Sequence, residues 1–460
     1  MSLKKLVFAV LILVWFGYFT LDSLGVRFAP DDMMNMAGYW RMKPATFAVS
    51  HVLVWRNFYR PMGGLFYLPL FHAFGFNPAP YHAVILAILL FNVWLVYRLA
   101  ILLRAGPIAA GLAALLCCYH ASLSNLTYNI AFIYDVLCGC FYLSALVYYL
   151  QIRESGRQLR GREIAAFLAL YLCALNSKEM AVTLPVILLI YEWLYQDRAS
   201  LRGVVAGALL NLPYLYGKVF RGDALATSAA YRPELTWARL LDFQTRSFTE
   251  LFQQRTPLGP ETVAWIWVAL FYLAFRRRRP VLQFCWIFLA IAPLPIEFLP
   301  GRGGACLYLP FVGCAIFAAV VAVDLAEAAA RFLSAEPLVA RLGYQRLFAV
   351  LLVACVVVWG RENRDFKQSF VRPAMDQTGV LTADVIRQIE TLAPRAQPHS
   401  TVVFLDDPFV DWDMAFIAEL WFRDRTVEVR LHRKTPLTAD EIARADRVFD
   451  FRDGRLVAVR

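Results

Sequence analysis

Two adjacent carboxylates, Asp31 and Asp32, follow the first apolar run of the chain in the stretch RFAPDDMMNMAGYW. Ionisable groups beside a membrane segment are costly to keep, because an unpaired charge loses its hydration there. A carboxylate can take the proton from an attacking hydroxyl, and a second acid beside it can orient that hydroxyl or raise the pKa of the base. The pair also suits the cap of a helix that begins near Met33. Catalysis and capping are compatible, so both interpretations stay open.

Further polar residues stand at the ends of apolar runs, and several are cationic. They are Arg60, Asp135, Lys178, Glu179, Arg302 and Tyr308. The guanidinium of Arg302 is suited to bind two phosphate oxygens through parallel hydrogen bonds. Lys178 and Arg60 are further candidates for binding that phosphate. Glu179 and Asp135 would hold these cations in place or bind hydroxyl groups. Each residue also has a structural alternative, such as an ion pair that caps a helix or a side chain that reaches to lipid head groups.

Asp31, Asp32 and Asp135 together offer carboxylate oxygens of the kind that bind a divalent cation. The cysteines offer no metal site, because eight of the nine lie within apolar runs, where a thiol behaves as a small hydrophobic group. The sequence therefore predicts no disulfide framework, no metal and no cofactor, with a divalent cation as the alternative.

The composition indicates that these residues are positioned by membrane helices. Hydrophobic residues make up 60% of the 460 positions and aromatic residues 15%, against roughly 45–50% apolar residues in an ordinary soluble domain. Runs of about 20 apolar residues, the length that crosses a bilayer, predict an α-helical polytopic protein with about 11 spans. They are expected at Leu6–Leu21, 82–103, 107–123, 130–150, 164–176, 180–196, 203–219, 262–275, 281–298, 307–325 and 346–360.

The distribution of charge predicts the orientation of these spans. Arginines recur in alternate loops, at 98–104, 153–162, 198–202, 276–279 and 331–346. With eleven spans and a cytoplasmic N-terminus, every one of these loops lies in the cytoplasm, as the positive-inside rule requires. The same rule accounts for the net charge of +11, so the charge does not indicate a nucleic-acid partner.

This topology divides the chain into a membrane domain, 1–360, and an extracytoplasmic tail, 361–460. Two long loops, 22–81 and 220–261, lie on the same outer side as the tail. The tail holds 16 basic and 17 acidic residues, and its pattern alternates helical and strand-like stretches, which predicts a small α/β domain.

The order of the motifs resembles the GT-C class of integral-membrane glycosyltransferases. The motifs are DD after the first span, YRP, NP followed by YH, SKE followed by LP, and an arginine turn leading into LYLP, and they fall within residues 1–325. The closest branch comprises transferases that use polyprenol-phosphate sugars, especially the protein O-mannosyltransferase-like proteins. This chain departs from that branch because it has no tetratricopeptide repeats and ends in the α/β tail.

The resemblance implies an inverting enzyme that transfers a hexosyl or pentosyl group. The sugar would pass from a polyprenyl-phosphate donor to a hydroxyl of a lipid, glycan or protein acceptor on the outer face of the membrane. The compact loops and the lack of luminal repeats favour a bacterial inner membrane. Asp31 or Asp32 would be the general base, in a first outer loop that forms amphipathic helices at about 33–43 and 45–58. Arg302, Lys178 and Arg60 would bind the donor phosphate.

In the same implied site, Glu179, Asp135 and Tyr308 would bind the sugar or the acceptor. A transporter or flippase without catalysis is the alternative, and a non-catalytic anchor for the tail is a third possibility. The transporter is disfavoured because the polar groups crowd one membrane face and no internal repeat is evident. The anchor is disfavoured because eleven spans exceed what anchoring requires.

Overall fold

A computed structural model describes residues 3–196, 198–276, 278–334 and 343–460. Most of the membrane part is helical. Its α-helices are α1 (Leu3–Thr20), α2 (Pro30–Arg41), α3 (Pro44–Ser50), α4 (Met62–Phe74), α5 (Ala79–Leu102), α6 (Pro107–Cys118), α7 (Asn125–Tyr128), α8 (Ile133–Glu154), α9 (Gly161–Leu175), α10 (Leu184–Tyr195), α11 (Arg202–Leu215), α12 (Trp237–Leu251), α13 (Pro260–Arg276), α14 (Pro280–Ile291), α15 (Leu294–Glu297), α16 (Tyr308–Ser334) and α17 (Tyr344–Phe366).

Every predicted span overlaps one of these helices, yet they differ in their capacity to cross a bilayer. Six segments among the described residues are long and apolar enough by length and composition: Phe8–Gly25, Ala79–Leu102, Ile130–Glu154, Pro280–Glu297, Gly304–Ser334 and Tyr344–Leu392. Helices α6 and α10 have 12 residues each, which gives roughly 18 Å of length against about 30 Å of hydrocarbon. The chain is thus a helical membrane protein, and the count of eleven spans stays a prediction.

The core forms where α5 packs between α6 and α8, and where α16 packs against α6, α14 and α17. Tyrosines supply much of its volume. Tyr142, Tyr149 and Tyr171 are each fully buried, and their hydroxyls find partners on neighbouring helices, as with Tyr149 and Glu192 (2.9 Å). This packing holds the ends of α8, α10 and α16 together, and these ends carry candidate site residues.

The first long loop, 22–81, contains more helix than its sequence predicts. Helix α2 begins at Pro30, three residues before the predicted start, because proline suits the first helical position. Helix α3 ends at Ser50 and not at 58, and turns follow it. The loop also contains the apolar helix α4, which packs against α2.

The second long loop, 220–261, contains the amphipathic helix α12. The Thr236 hydroxyl caps this helix by accepting from the Arg239 amide (3.2 Å). The buried side of α12 includes Phe243, Phe248 and Leu251, so the helix packs onto the membrane domain along one face.

The tail forms a small α/β unit, as predicted, although its membrane-side boundary differs. Helix α17 runs past residue 360 to Phe366, a π-helical turn follows at Lys367–Val371, and α18 then extends over Arg372–Gln377. The remaining elements are α19 (Val380–Leu392), β1 (Thr401–Phe404), α20 (Asp413–Phe422), β2 (Glu428–Leu431), α21 (Ala439–Arg444), β3 (Arg447–Arg452) and β4 (Arg455–Ala458).

The four strands form one sheet in the order β2-β1-β3-β4. Strand β1 pairs in parallel with β2 and β3, and β4 closes the edge as an antiparallel hairpin with β3. Helix α20 packs directly on α2. Arg41 of α2 forms a bidentate salt bridge with Glu419 of α20, with both N–O distances at 2.6 Å. The tail therefore contacts the helix that carries the two acids.

Candidate functional site

A cavity of about 150 Å³ lies where the loop helix α2 meets the ends of the membrane helices. It unites six of the eight candidate residues, although they come from five separate parts of the chain: Asp31, Arg60, Asp135, Lys178, Glu179 and Arg302. Asp32 and Tyr308 do not line it. Among the other residues that line it are Tyr59, Tyr134, Tyr231 and Cys306.

The two adjacent acids have different surroundings. Asp31 occupies the first turn of α2, is exposed and lines the cavity. It has no hydrogen bond or ion pair among the residues that the structure describes. Its carboxylate is therefore available to a ligand that enters the cavity.

Asp32 is turned inward and has no exposed surface. Its carboxyl accepts a hydrogen bond from the Ala29 amide (2.7 Å), which is the return half of a capping box, and another from the Tyr67 hydroxyl (3.4 Å). Burial raises the pKa of the Asp32 carboxyl well above its ordinary value, to about 8. Asp32 thus fastens the start of the helix that presents Asp31.

A buried arginine forms the floor of the cavity. The Arg60 guanidinium donates to both carboxylate oxygens of Glu179, at 2.9 and 3.3 Å. It lies over the rings of Tyr59, Tyr134 and Tyr231, with its central carbon 4.8 to 5.7 Å from their centroids. Burial alone would raise the pKa of the Glu179 carboxyl. The charge of Arg60, its hydrogen bonds to the carboxylate and the charge of Lys218 together outweigh burial and lower that pKa to about 2. The pair is therefore ionised at any physiological pH.

The backbone at Arg60 is held in an uncommon conformation. Its φ is +41°, which costs a residue with a side chain about 1–3 kcal/mol. The Tyr39 hydroxyl donates to the Arg60 carbonyl oxygen (2.8 Å), and the ion pair with Glu179 holds the other end of the residue. Strain of this kind persists where the surroundings fix one geometry, as at a binding site.

A second buried pair lies beside the first. The Lys178 ammonium contacts the Asp135 carboxylate at the start of α8, and its Nζ is 3.2 Å from the Cys306 Sγ. Burial alone would lower the pKa of Lys178, but the charge and hydrogen bond of Asp135, together with the neighbouring Cys306, outweigh burial and raise that pKa. The ammonium is thus charged and keeps hydrogens that a ligand can accept.

Arg302 reaches the cavity from the glycine-rich turn before α16. One of its terminal nitrogens donates to the Ala230 carbonyl oxygen (2.9 Å), and its guanidinium lies 4.7 Å from the Tyr231 ring centroid. A backbone amide of the same turn already has a partner, because the Gly304 amide donates to the Glu250 carboxylate (2.5 Å). The structure thus gives this amide a carboxylate partner.

Tyr308 lies inside the helix bundle, away from the cavity. It is buried, and its ring packs where a side chain on Gly139 would otherwise lie. Its placement indicates a packing role. The sequence did not single out Tyr134 or Tyr231, because aromatic residues are frequent throughout such a chain. It left Tyr59 open between a belt at the water–lipid boundary and stacking on a sugar ring.

No three His, Cys, Asp or Glu side chains in the described part of the chain are grouped as a metal site would require. Asp135, one of the carboxylates considered for a divalent cation, is instead paired with Lys178. The donor set of the cavity is therefore one free carboxylate and three cationic side chains.

Comparison with solved structures identifies the fold. The crystal structure of ArnT from Cupriavidus metallidurans, bound to undecaprenyl phosphate, matches with a TM-score of 0.53 and 17% sequence identity. The match covers 99% of this chain and 97% of ArnT. No protein-family model and no curated protein sequence matches the chain. The chain thus shares the fold of ArnT over almost the whole length of both proteins.

Proposed function

We propose that this protein is a GT-C glycosyltransferase that moves a sugar from a polyprenyl-phosphate donor to an acceptor hydroxyl, by inversion in one displacement. The observation that carries this proposal is the cavity itself, which places the unpaired Asp31 carboxylate beside Arg60, Lys178 and Arg302. A lipid phosphate that leaves during sugar transfer needs cations, and the attacking hydroxyl needs a base. The fold shared with ArnT, which was crystallised with undecaprenyl phosphate, supports the donor class.

Within this proposal, Asp31 is the general base. Asp32 positions it, because a fully buried carboxyl that caps its own helix cannot reach an acceptor. Arg302 and Lys178 bind the departing phosphate, and Glu179 keeps Arg60 in place among the tyrosines. The reaction takes place on the outer face of the membrane, and the tail stands on the same side. The proposed mechanism is the one that the protein O-mannosyltransferase-like transferases use.

The test is turnover of a radiolabelled undecaprenyl-phosphate sugar by purified protein with mixed membrane acceptors. Asp31→Asn is expected to reduce turnover by at least a hundredfold, a typical contribution of a positioned base. Asp32→Asn is the matched control, because it changes the neighbouring carboxyl in the same way, and it is expected to keep most of the activity. Equal loss in both variants would refute the assignment of the base. No turnover by the wild type with several donors would favour a flippase.

A further inference from the structure

A large apolar groove lies outside the Asp31 cavity and shares no lining residue with it. It has a volume of about 890 Å³ and runs between α6, α16 and α17. Along α16 it extends from Phe311 to Ala329, and alanines such as Ala318 and Ala322 leave the space open. Nineteen residues of helix span roughly 28 Å, close to the ~30 Å thickness of the hydrocarbon core. The groove therefore has the length and the lining for a long lipid chain.

A polar cavity of about 340 Å³ adjoins this groove, and Gln254 lines both spaces. Hydroxyl and amide side chains line it, including Ser122, Ser124 and Asn129, together with the Tyr128 ring. The Ser122 Oγ is buried and has no hydrogen-bond partner among the described residues. Such a lining suits a sugar, because hydroxyl groups need both donors and acceptors, and a sugar ring packs on an aromatic face.

The charges in these two spaces argue against the phosphate donor as their occupant. Among the residues that the structure describes, no lysine, arginine or histidine lines either space, and the charged residues that line them are Glu250 and Glu362. A phosphate would enter without a cation to pair with and would face a carboxylate. The donor phosphate is instead matched by the Asp31 cavity, which has three cations. The groove thus fits an amphiphile whose head carries hydroxyls and no phosphate.

The polar cavity is separated from the Asp31 cavity by two thin walls. On one side, the Asn129 carboxamide accepts from the amide of Ala131, which lines the Asp31 cavity (3.0 Å). On the other side, Glu250 of the polar cavity binds the Gly304 amide, two residues from Arg302 and from Cys306. A head group in the polar cavity is therefore a near neighbour of the donor site.

We propose that the groove and the polar cavity together bind the acceptor, and that the acceptor is a neutral glycolipid. Its chain lies along α16 and α17, and its sugar head lies against Ser122 and Asn129, beside the wall that separates the polar cavity from the Asp31 cavity. This identification of the acceptor class rests on the proposed transferase function. The binding site itself stands on the geometry and charge of the two spaces.

The test measures binding without turnover, by native mass spectrometry of the full chain released from a neutral polyoxyethylene detergent. The probes are octadecyl maltoside, which is a neutral glycolipid, and undecaprenyl phosphate. Ala354→Phe fills the groove from α17. Val353→Phe is the matched control, because Val353 is the neighbouring residue, is exposed and does not line the groove. Ser124→Trp fills the polar cavity independently.

We expect Ala354→Phe and Ser124→Trp each to weaken maltoside binding at least tenfold, while Val353→Phe does not change it and undecaprenyl phosphate binds all four proteins alike. Equal maltoside binding by all four proteins would overturn the proposal. Loss of undecaprenyl phosphate in Ala354→Phe would also overturn it and assign the groove to the donor. Because no sugar transfer is measured, failure of the transferase function would appear as inactive protein that still binds the maltoside in this pattern.

Discussion

The buried Asp32 carboxyl makes the stability of the protein depend on pH in a way that can be calculated. Its pKa rises from 3.8 to about 8 on folding, chiefly because burial penalises the charged form. Between these values the folded state binds a proton that the unfolded state has released, so stability falls as pH rises. Four pH units at about 1.4 kcal/mol each give a total of roughly 6 kcal/mol. Below pH 4 and above pH 8 this contribution is constant.

Asp32→Asn removes the titration and keeps the acceptor oxygen for the Ala29 amide. The free energy of unfolding of the wild type relative to the variant is therefore expected to fall by about 1.4 kcal/mol per pH unit from pH 4 to pH 8. Thermal unfolding of both proteins in one detergent, followed by circular dichroism at half-unit steps of pH, gives this difference. At pH 8 the variant should be the more stable protein.

A difference that does not change with pH over this range would show that Asp32 is ionised in the folded protein, and the account of its burial would be wrong. If the wild type instead becomes more stable relative to the variant as the pH rises, a cation pairs with Asp32. A variant that unfolds in the same way as the wild type at all pH values but loses turnover would refute the division of roles between the two acids.

Two further predictions concern the support of the cavity. Glu179→Gln leaves the Arg60 charge buried without a partner and is expected to lower the free energy of unfolding by about 3–5 kcal/mol. Because the pKa of Glu179 is about 2, the ion pair stops stabilising the wild type only as the pH falls from about 4.5 toward 2. Chemical unfolding of both proteins should therefore give the same difference in stability from pH 6 to pH 9. Gly63→Ala would place a methyl carbon 2.3 Å from the Tyr134 ring and 2.6 Å from the Tyr39 hydroxyl. This overlap should lower the free energy of unfolding by about 1–3 kcal/mol and also slow sugar transfer. Gly38→Ala is the control, because its methyl group meets nothing within 4 Å, and it should not destabilise the protein.

The sequence located most of the cavity because ionisable side chains at the ends of apolar helices are rare and expensive. Arg60, Lys178 and Glu179 are recognisable in this way. The sequence does not show that Asp31 and Asp32 differ in their surroundings, since that difference depends on which residue precedes the helix. Only the structure places Ala29 at the cap, so that Asp32 lies at the third helical position.

The fold was predictable to a similar depth. The helix at 413–422 and the strand around 401–404 follow the periodicity of their residues. The hairpin of β3 and β4 was missed, although Asp453 and Gly454 mark its turn, with positive φ at both positions. Helix α4 was missed because Gly63, Gly64 and Pro69 obscure its helical pattern.

The contact between α20 and α2 couples the α/β tail mechanically to the helix that carries Asp31. Three arginines span this contact or lie beside it: Arg41 on Phe416, Arg425 on Trp40 and Arg423 on Phe71. Burial and the charges of Asp411 and Asp31 raise the pKa of Asp413 at the start of α20, so the two helix starts are within electrostatic reach. A rotation of the tail relative to the membrane would therefore move the Asp31 carboxylate as well. An antibody that binds the tail is expected to change the rate of the proposed sugar transfer.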